Sequence, residues 1–431
     1  MKLHIEKMIY GGSGLAHVGV KPGPGKTVFV PYTLPGEVVE AHVIKKHSGF
    51  EEAVLENVLD ASMDRVTPRC AHFGVCGGCQ YQHASYETQL RFKQDILRET
   101  LARAGLDQLP RIEVHSAKPW EYRNRIRLRI AKVDGQVRVG YLRRGSADFL
   151  PVQMCPISSP LLWRAAETLL SLAGKDAQWI HAAEEVELFA TADETRLQMT
   201  LFVRKELTKD FAHFCEVLRR QLPELIGAET RIVQNTMRRK TQRSQIGSTW
   251  GGDGLNYLAG NESYWVSRAG FFQVNRYLVE TLVELVTKGR SGHLVWDLYA
   301  GVGLFSRVLA KSFSEVVAVE ASDGDLAQNI RGDGRRAVVA ITLDFLRRAV
   351  LERDRPDLIL VDPPRAGIGI EVCTLLARIK APEIVYVSCD PTTLGRDLRA
   401  MVDSGYRLDQ LHLVDMFPQT FHQETVAVLR Q

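Results

Sequence analysis

The chain has 431 residues, 45% of them hydrophobic and 25% charged, and a net charge of +4 at pH 7. That length exceeds one ordinary core and that composition is globular, which excludes a disordered or fibrous chain; so small a net charge implies no nucleic-acid partner by itself, and local clusters must carry that argument. No run of 18 uncharged apolar residues occurs and Met1-Lys2-Leu3-His4-Ile5-Glu6-Lys7 has no apolar core, so no membrane span and no secretory leader are expected, and a cytoplasmic location is.

Residues 1 to about 58 alternate short apolar runs with turn signals at Gly11-Gly12-Ser13-Gly14, Pro22-Gly23-Pro24-Gly25 and Leu34-Pro35-Gly36-Glu37. Short strands at regular spacing predict a small β-barrel. The stretch Tyr10 to Ala16, with Val28-Phe29-Val30-Pro31 and Leu34 to Glu37, resembles the TRAM domain, an OB-like barrel; that resemblance implies RNA binding.

A second region, 59–265, opens on a cysteine cluster. Cys70, Cys76 and Cys79 form C-x5-C-x2-C, and Cys155-Pro156 follows. Seven cysteines in a reducing compartment point to metal, catalysis or burial rather than disulfides. Four thiolates suit zinc or an iron–sulfur cluster equally by spacing. Glu87 to Ala104 is rich in helix formers, with Leu90, Ile96, Leu97 and Leu101 at roughly helical intervals. From Arg123 to Ile130 a strand is predicted. Its Arg125, Arg127 and Arg129 share one face and Ile126, Leu128 and Ile130 the other. With Trp120, Tyr122 and Tyr141 interleaved, this basic stretch is the candidate RNA surface, and Arg238-Arg239-Lys240 with Arg243 extends it.

The third region, 266–431, alternates strand and helix patterns. Strands are predicted at Leu294 to Leu298, Glu315 to Val319, Leu358 to Val361 and Ile384 to Ser388. This is the pattern of a doubly wound parallel sheet, whose ligands bind at the carboxyl ends of the strands. The first strand runs into Asp297-Leu298-Tyr299-Ala300-Gly301-Val302-Gly303, a turn that lets backbone approach a ligand. A dinucleotide fingerprint would need a small residue at 306, where the chain has Ser306, so NAD is disfavoured. Glu320 ends the second strand, where a carboxylate can accept from two ribose hydroxyls. With Asp362-Pro363-Pro364, this order resembles class I S-adenosylmethionine methyltransferases.

Cys389 follows Val385-Tyr386-Val387-Ser388 and precedes Asp390-Pro391, at that ligand-binding edge. Cys215 and Cys373, the latter within an apolar helical pattern, read as small buried hydrophobes. Uracil C5 is too poor a nucleophile to take a methyl group unaided. Thiolate addition to C6 creates an enolate reactive at C5, and a base must then remove the C5 proton.

Phe271-Phe272-Gln273-Val274-Asn275, the Asp297 to Gly303 turn, Asp362 to Arg365, Ser388-Cys389-Asp390-Pro391 and Phe417-Pro418 followed by Glu424 together resemble an RNA uracil-C5 methyltransferase of the TRAM-bearing, iron–sulfur type. The resemblance implies a multidomain α/β chain: an OB-like barrel at 1–58, a central α+β iron–sulfur and RNA-binding domain at 59–265, and a Rossmann-like class I methyltransferase domain at 266–431. It makes Cys389 the nucleophile and Glu424 the base. It places Gln273, Tyr299, Glu320, Asp344 and Asp362 around S-adenosylmethionine, and a [4Fe-4S] cluster on Cys70, Cys76, Cys79 and Cys155. With every iron so ligated, no radical chemistry is expected. Tyr299 and Leu304 depart from the family's usual Phe and Asn. The expected partner is RNA, 23S rRNA first and tRNA second, and the expected state is a monomer. Two other readings are an adenine amino-group methyltransferase, suggested by Asp362-Pro363-Pro364, and a non-catalytic RNA-binding factor.

Overall fold

A computed structural model describes residues 1–19, 25–174, 178–207, 210–233 and 244–431. The cluster Arg238-Arg239-Lys240 with Arg243 lies outside the described residues, as does most of the Pro22 to Gly25 turn.

The first sixty residues form a six-stranded sheet around Leu3, Ile5, Ala16, Val28, Val30, Val39, Ala41 and Ala53. One edge strand, Lys2–His4, pairs with Val38–Lys46 and the other, Lys7–Met8, pairs with Ser13–Val18. Both edges belong to one continuous segment, so the sheet closes on itself. Closure removes the unpaired edges that a small open sheet would present.

The central seven-stranded sheet includes Arg125–Val133, Gln136–Leu142, Ala183–Ala190 and Leu197–Val203. Ile126 and Leu128 are buried with Leu161, Leu162 and Trp163 of the helix Pro160–Ser171. The arginines take the opposite face, as period-2 geometry predicts, but their partners lie within the protein. Arg125 is 13% exposed and pairs with Glu187 at 2.9 Å; its guanidinium sits 4.1 Å from the Phe189 ring centre and donates to Gly270 O at 2.6 Å. Arg127 stacks on Phe202 and shares Glu185 with Arg129. Tyr122 is wholly buried, its hydroxyl donating to Pro418 O. The expected RNA role of Arg125 is thereby corrected, because cross-strand carboxylates already satisfy this face. Reversing the charge of Arg125 attacks the fold.

The C-terminal sheet has eight strands in the order Arg335–Val339, Phe313–Glu320, Gly292–Leu298, Leu358–Val361, Glu383–Ser388, Glu424–Arg430, Arg407–Val414 and Ile112–His115. The first five are mutually parallel, and apart from the exposed edge strand Arg335–Val339 their apolar runs are buried on both faces. Strand order reverses at Gly292–Leu298, between Phe313–Glu320 and Leu358–Val361, so a ligand crevice opens there. Two features depart from the all-parallel expectation. Glu424–Arg430 runs antiparallel to both neighbours, and the outermost strand is contributed by residues 112–115. The hairpin Gly254–Ala259 and Glu262–Ser267 also packs into this half, against Phe272, Leu282 and Phe305. Among the described residues no helix is long and apolar enough to cross a membrane.

Candidate active site

Five strand tips converge on one crevice. Asp297, near the end of the first parallel strand, is fully buried and accepts from Ser306 Oγ at 2.5 Å and Ser306 N at 3.0 Å. The serine that breaks the dinucleotide fingerprint is therefore spent on this carboxylate. Asp297 Oδ1 is buried without a hydrogen-bond partner among the described residues. Tyr299 has φ +64°, a strained left-handed conformation for a non-glycine residue. Gly301 follows at φ +55° and donates its N–H to Glu320 Oε2 at 3.0 Å, and a Cβ there would meet only open space. Glu320 thus sits beside a bare backbone turn, its other oxygen accepting from Ala321 N.

Burial pushes Asp297 up to about 6, and burial together with Asp297 pushes Asp362 up to about 7. The crevice holds more carboxylates than it can ionise. A cation relieves that crowding, and S-adenosylmethionine carries a sulfonium and an ammonium. Its affinity should therefore rise with pH as Asp297 and Asp362 ionise. We expect calorimetry to show a gain of about tenfold for S-adenosylmethionine between pH 5.5 and 8, and a smaller gain for S-adenosylhomocysteine, which lacks the sulfonium. Equal gains for both would contradict this charge assignment.

Asp344 lies elsewhere. It is half-exposed in the first turn of the helix Thr342–Glu352 and pairs with Arg347, which also holds Glu371. Thr342, at the start of the same helix, is buried and hydrogen-bonds Tyr299. The residue two positions upstream thus faces the crevice, a difference that the short Ala321 to Asp344 segment left ambiguous in sequence. Gln273 is half-buried, with its carbonyl accepting from Asn124 Nδ2 and its neighbour Asn275 donating to Met416 O. The Gln273 segment is thereby fixed to the chain that leads to Glu424.

Cys389 follows the strand Glu383–Ser388, and Asp390 caps the helix Pro391–Asp403 by accepting from Thr392 N and Thr393 N. Glu424 opens the adjacent antiparallel strand, where Thr425 pairs with Ser388. That register brings a thiol and a carboxyl to the same edge. Burial, Glu424, Asp362 and Asp390 push the thiol up to about 11 against the pull of Arg365. Burial and Asp362 raise Glu424 well above the usual carboxylate range, again opposed by Arg365. Arg365 is the cation that favours both ionised forms, and it lies 3.0 Å from His422 Nδ1. Nothing in the Asp362-Pro363-Pro364 motif announced that role.

The loop between Asp415 and Glu424 is held from three directions. Tyr10 of the barrel donates to Asp390 Oδ2 at 3.2 Å and packs edge-on against Phe421. Gln80 and Tyr81, beside the cysteine cluster, donate their backbone N–H groups to Gln419 O. Fully buried Lys93 reaches Asp415 Oδ1 at 2.5 Å and Phe417 O at 3.0 Å, with Tyr86 donating to Asp415 Oδ2 at 2.9 Å. Lys93→Met would leave the Asp415 charge buried and unpaired. It should cost roughly 3–5 kcal/mol and lower the melting temperature by roughly 10 °C, readable by calorimetry, and a shift under 2–3 °C would refute the pair's importance.

The four cluster cysteines are free and partly exposed, and all line one cavity of about 430 Å³. Cys215 and Cys373 are buried in helices, as expected of small hydrophobes.

A doubly wound sheet with acids at its switch point and a thiol beside them defines an S-adenosylmethionine-dependent methyltransferase. A family model for tRNA (Uracil-5-)-methyltransferase matches residues 85–344 and 340–431. The chain belongs to that family, and is an RNA uridine-C5 methyltransferase. An uncharacterized RNA methyltransferase of Aquifex aeolicus is 34% identical over 100% of this chain and 98% of its own. A 23S rRNA (uracil(1939)-C(5))-methyltransferase of Halomonas elongata is 33% identical over 96% of this chain and 88% of its own. The Pyrococcus abyssi tRNA (uracil-54, C5)-methyltransferase, solved with S-adenosyl-L-homocysteine, superposes with a TM-score of 0.77 at 23% identity over 100% of both chains, a likeness of fold. The amino-group and non-catalytic readings give way to uridine-C5 methylation.

Proposed function

We propose that the protein forms 5-methyluridine in 23S rRNA, with Cys389 as nucleophile and Glu424 as base. The observation that carries the assignment is the Ser388–Thr425 pairing, which sets thiol and carboxyl side by side under Arg365. The thiolate bonds to C6 and the C5 enolate carbon takes the methyl group from the donor sulfonium. Glu424 then removes the C5 proton, and the S–C6 bond breaks to restore the C5–C6 double bond and the thiolate. Gln273, Tyr299, Glu320 and Asp362 contact the methyl donor, and Thr342 takes the place first given to Asp344.

The closed N-terminal sheet is read as a TRAM barrel, and its Tyr10 contact with Asp390 supports a role in presenting RNA to Cys389. A few kcal/mol are needed to unstack a target base, so flanking contacts belong in the design. Cys70, Cys76, Cys79 and Cys155 fit a [4Fe-4S] cluster. All four line one cavity of about 430 Å³, which has room for such a polyatomic group. When bound, such a cluster would tie the loop at 70–79 to Cys155, and its four thiolates leave no iron open for radical chemistry. We take the working form to be a cytoplasmic monomer.

The test is methyl transfer from labelled S-adenosylmethionine to unmodified 23S rRNA and to tRNA, with nucleoside mass spectrometry. Label in 5-methyluridine of 23S rRNA supports the proposal, and preferential labelling of tRNA replaces the substrate while keeping the chemistry.

A further inference from the structure

We propose that Glu113, His115 and His412 form a binding site for a divalent transition metal of the zinc class at the outer edge of the C-terminal sheet. The site stands apart from the chemistry: His412 lies two strands and His115 three strands across the sheet from the strand that ends at Cys389. It is built by parallel pairing of Ile112–His115 with Arg407–Val414, which sets Glu113 beside His412 and His115 beside Val414.

The spacing is that of ligands around one ion. His115 Nε2 lies 3.2 Å from His412 Nδ1, His412 Nδ1 lies 3.5 Å from Glu113 Oε2, and all three ligand atoms fall within 4.8 Å of one another. Tetrahedral coordination at metal–ligand lengths of about 2.0–2.1 Å separates neighbouring ligand atoms by about 3.4 Å. Two imidazoles and one carboxylate are a hard-to-borderline donor set suited to zinc, cobalt or nickel.

The surroundings favour the ligating forms. His412 Nε2 sits 3.4 Å from Gln410 Oε1; donation there directs the His412 lone pair onto Nδ1, the nitrogen that faces His115. His412 is 8% exposed and Glu113 60%, so the site is anchored inside and open outside. An adjoining groove of about 360 Å³ opens the site to solvent; Lys288, Arg290 and Arg430 line it, the two arginines paired to Glu383. A metal there would brace the contributed edge strand against the strand leading into Asp415 and the catalytic loop.

Co2+ is the probe, added to anaerobically purified full-length protein. We expect one equivalent per chain with visible d–d bands and no thiolate-to-cobalt charge transfer. His115→Gln and His412→Gln should each weaken binding roughly 10–100-fold, and Cys389→Ser should leave it unchanged. Glu113→Gln, at an exposed position, tests the carboxylate without endangering the fold and should also weaken binding. Zn2+ should raise the melting temperature of the wild type but not of the histidine variants. Absence of binding, affinity indifferent to Glu113, His115 and His412, or bands of thiolate origin would each overturn the proposal and leave a hydrogen-bonded histidine pair.

Discussion

Replacing Cys389 with alanine should abolish methyl transfer, lowering kcat by at least about 10⁴-fold while leaving S-adenosylmethionine affinity unchanged. The two effects separate because the thiol and the acids that draw the donor belong to different strand tips. Asp297 and Glu320 lie on the first and second parallel strands, whereas Cys389 follows the strand Glu383–Ser388. In the proposed mechanism the thiol bonds to the base and makes no contact with the donor. Loss of the Sγ removes the route to a nucleophilic C5, and no neighbour can replace it: Ser388 Oγ is committed to Asp390 O at 3.1 Å, and Cys373 is buried in a helix. Label incorporation and calorimetry on the same preparation read both quantities. Activity within a hundredfold of wild type would remove the covalent mechanism, and a parallel loss of donor binding would mean that the substitution had damaged the crevice.

Much of this was legible in the residues because it rests on local chemistry. Four of the five parallel strands were marked by apolar, β-branched runs, whereas the fifth, Arg335–Val339, is a largely exposed edge that carries no such mark. What the sequence hid were long-range pairings. Lys93 carries a charge on the buried face of its helix, beside Ile96 and Leu97, and its partner Asp415 is more than three hundred residues away. The antiparallel insertion of Glu424–Arg430 is equally non-local; without it Glu424 reads as an exposed charge, whereas it is buried. The arginines at 125, 127 and 129 were placed on the right face, but their carboxylate partners Glu185 and Glu187 could not be foreseen, since these arrive from a strand some sixty residues on. At the start of the helix Thr342–Glu352 the sequence could not tell which of Thr342 and Asp344 is buried: Thr342 is, and Asp344 is half-exposed and paired with Arg347.

Glu424→Gln should do something different from the cysteine variant: it should trap the enzyme on its RNA. The amide keeps the size of the carboxyl but cannot take a proton, so S–C6 bond formation and methyl transfer proceed while removal of the C5 hydrogen does not. The expected product is a denaturation-resistant protein–RNA adduct carrying one methyl group, formed in the first turnover, with multiple-turnover kcat down about 10²–10⁴-fold. The pH dependence gives an independent check. Burial and Asp362 raise Glu424 well above the usual carboxylate range, so lowering the pH protonates the base while it is still needed. Wild-type protein should therefore accumulate the same adduct as the pH is lowered, whereas the glutamine variant should hold it at every pH. Gel mobility and label counting follow both. Free 5-methyluridine-containing RNA released by Glu424→Gln at the wild-type rate would assign the proton to another base, and His422, neutral beside Arg365 with burial pushing it down to about 4, would be the next group to replace.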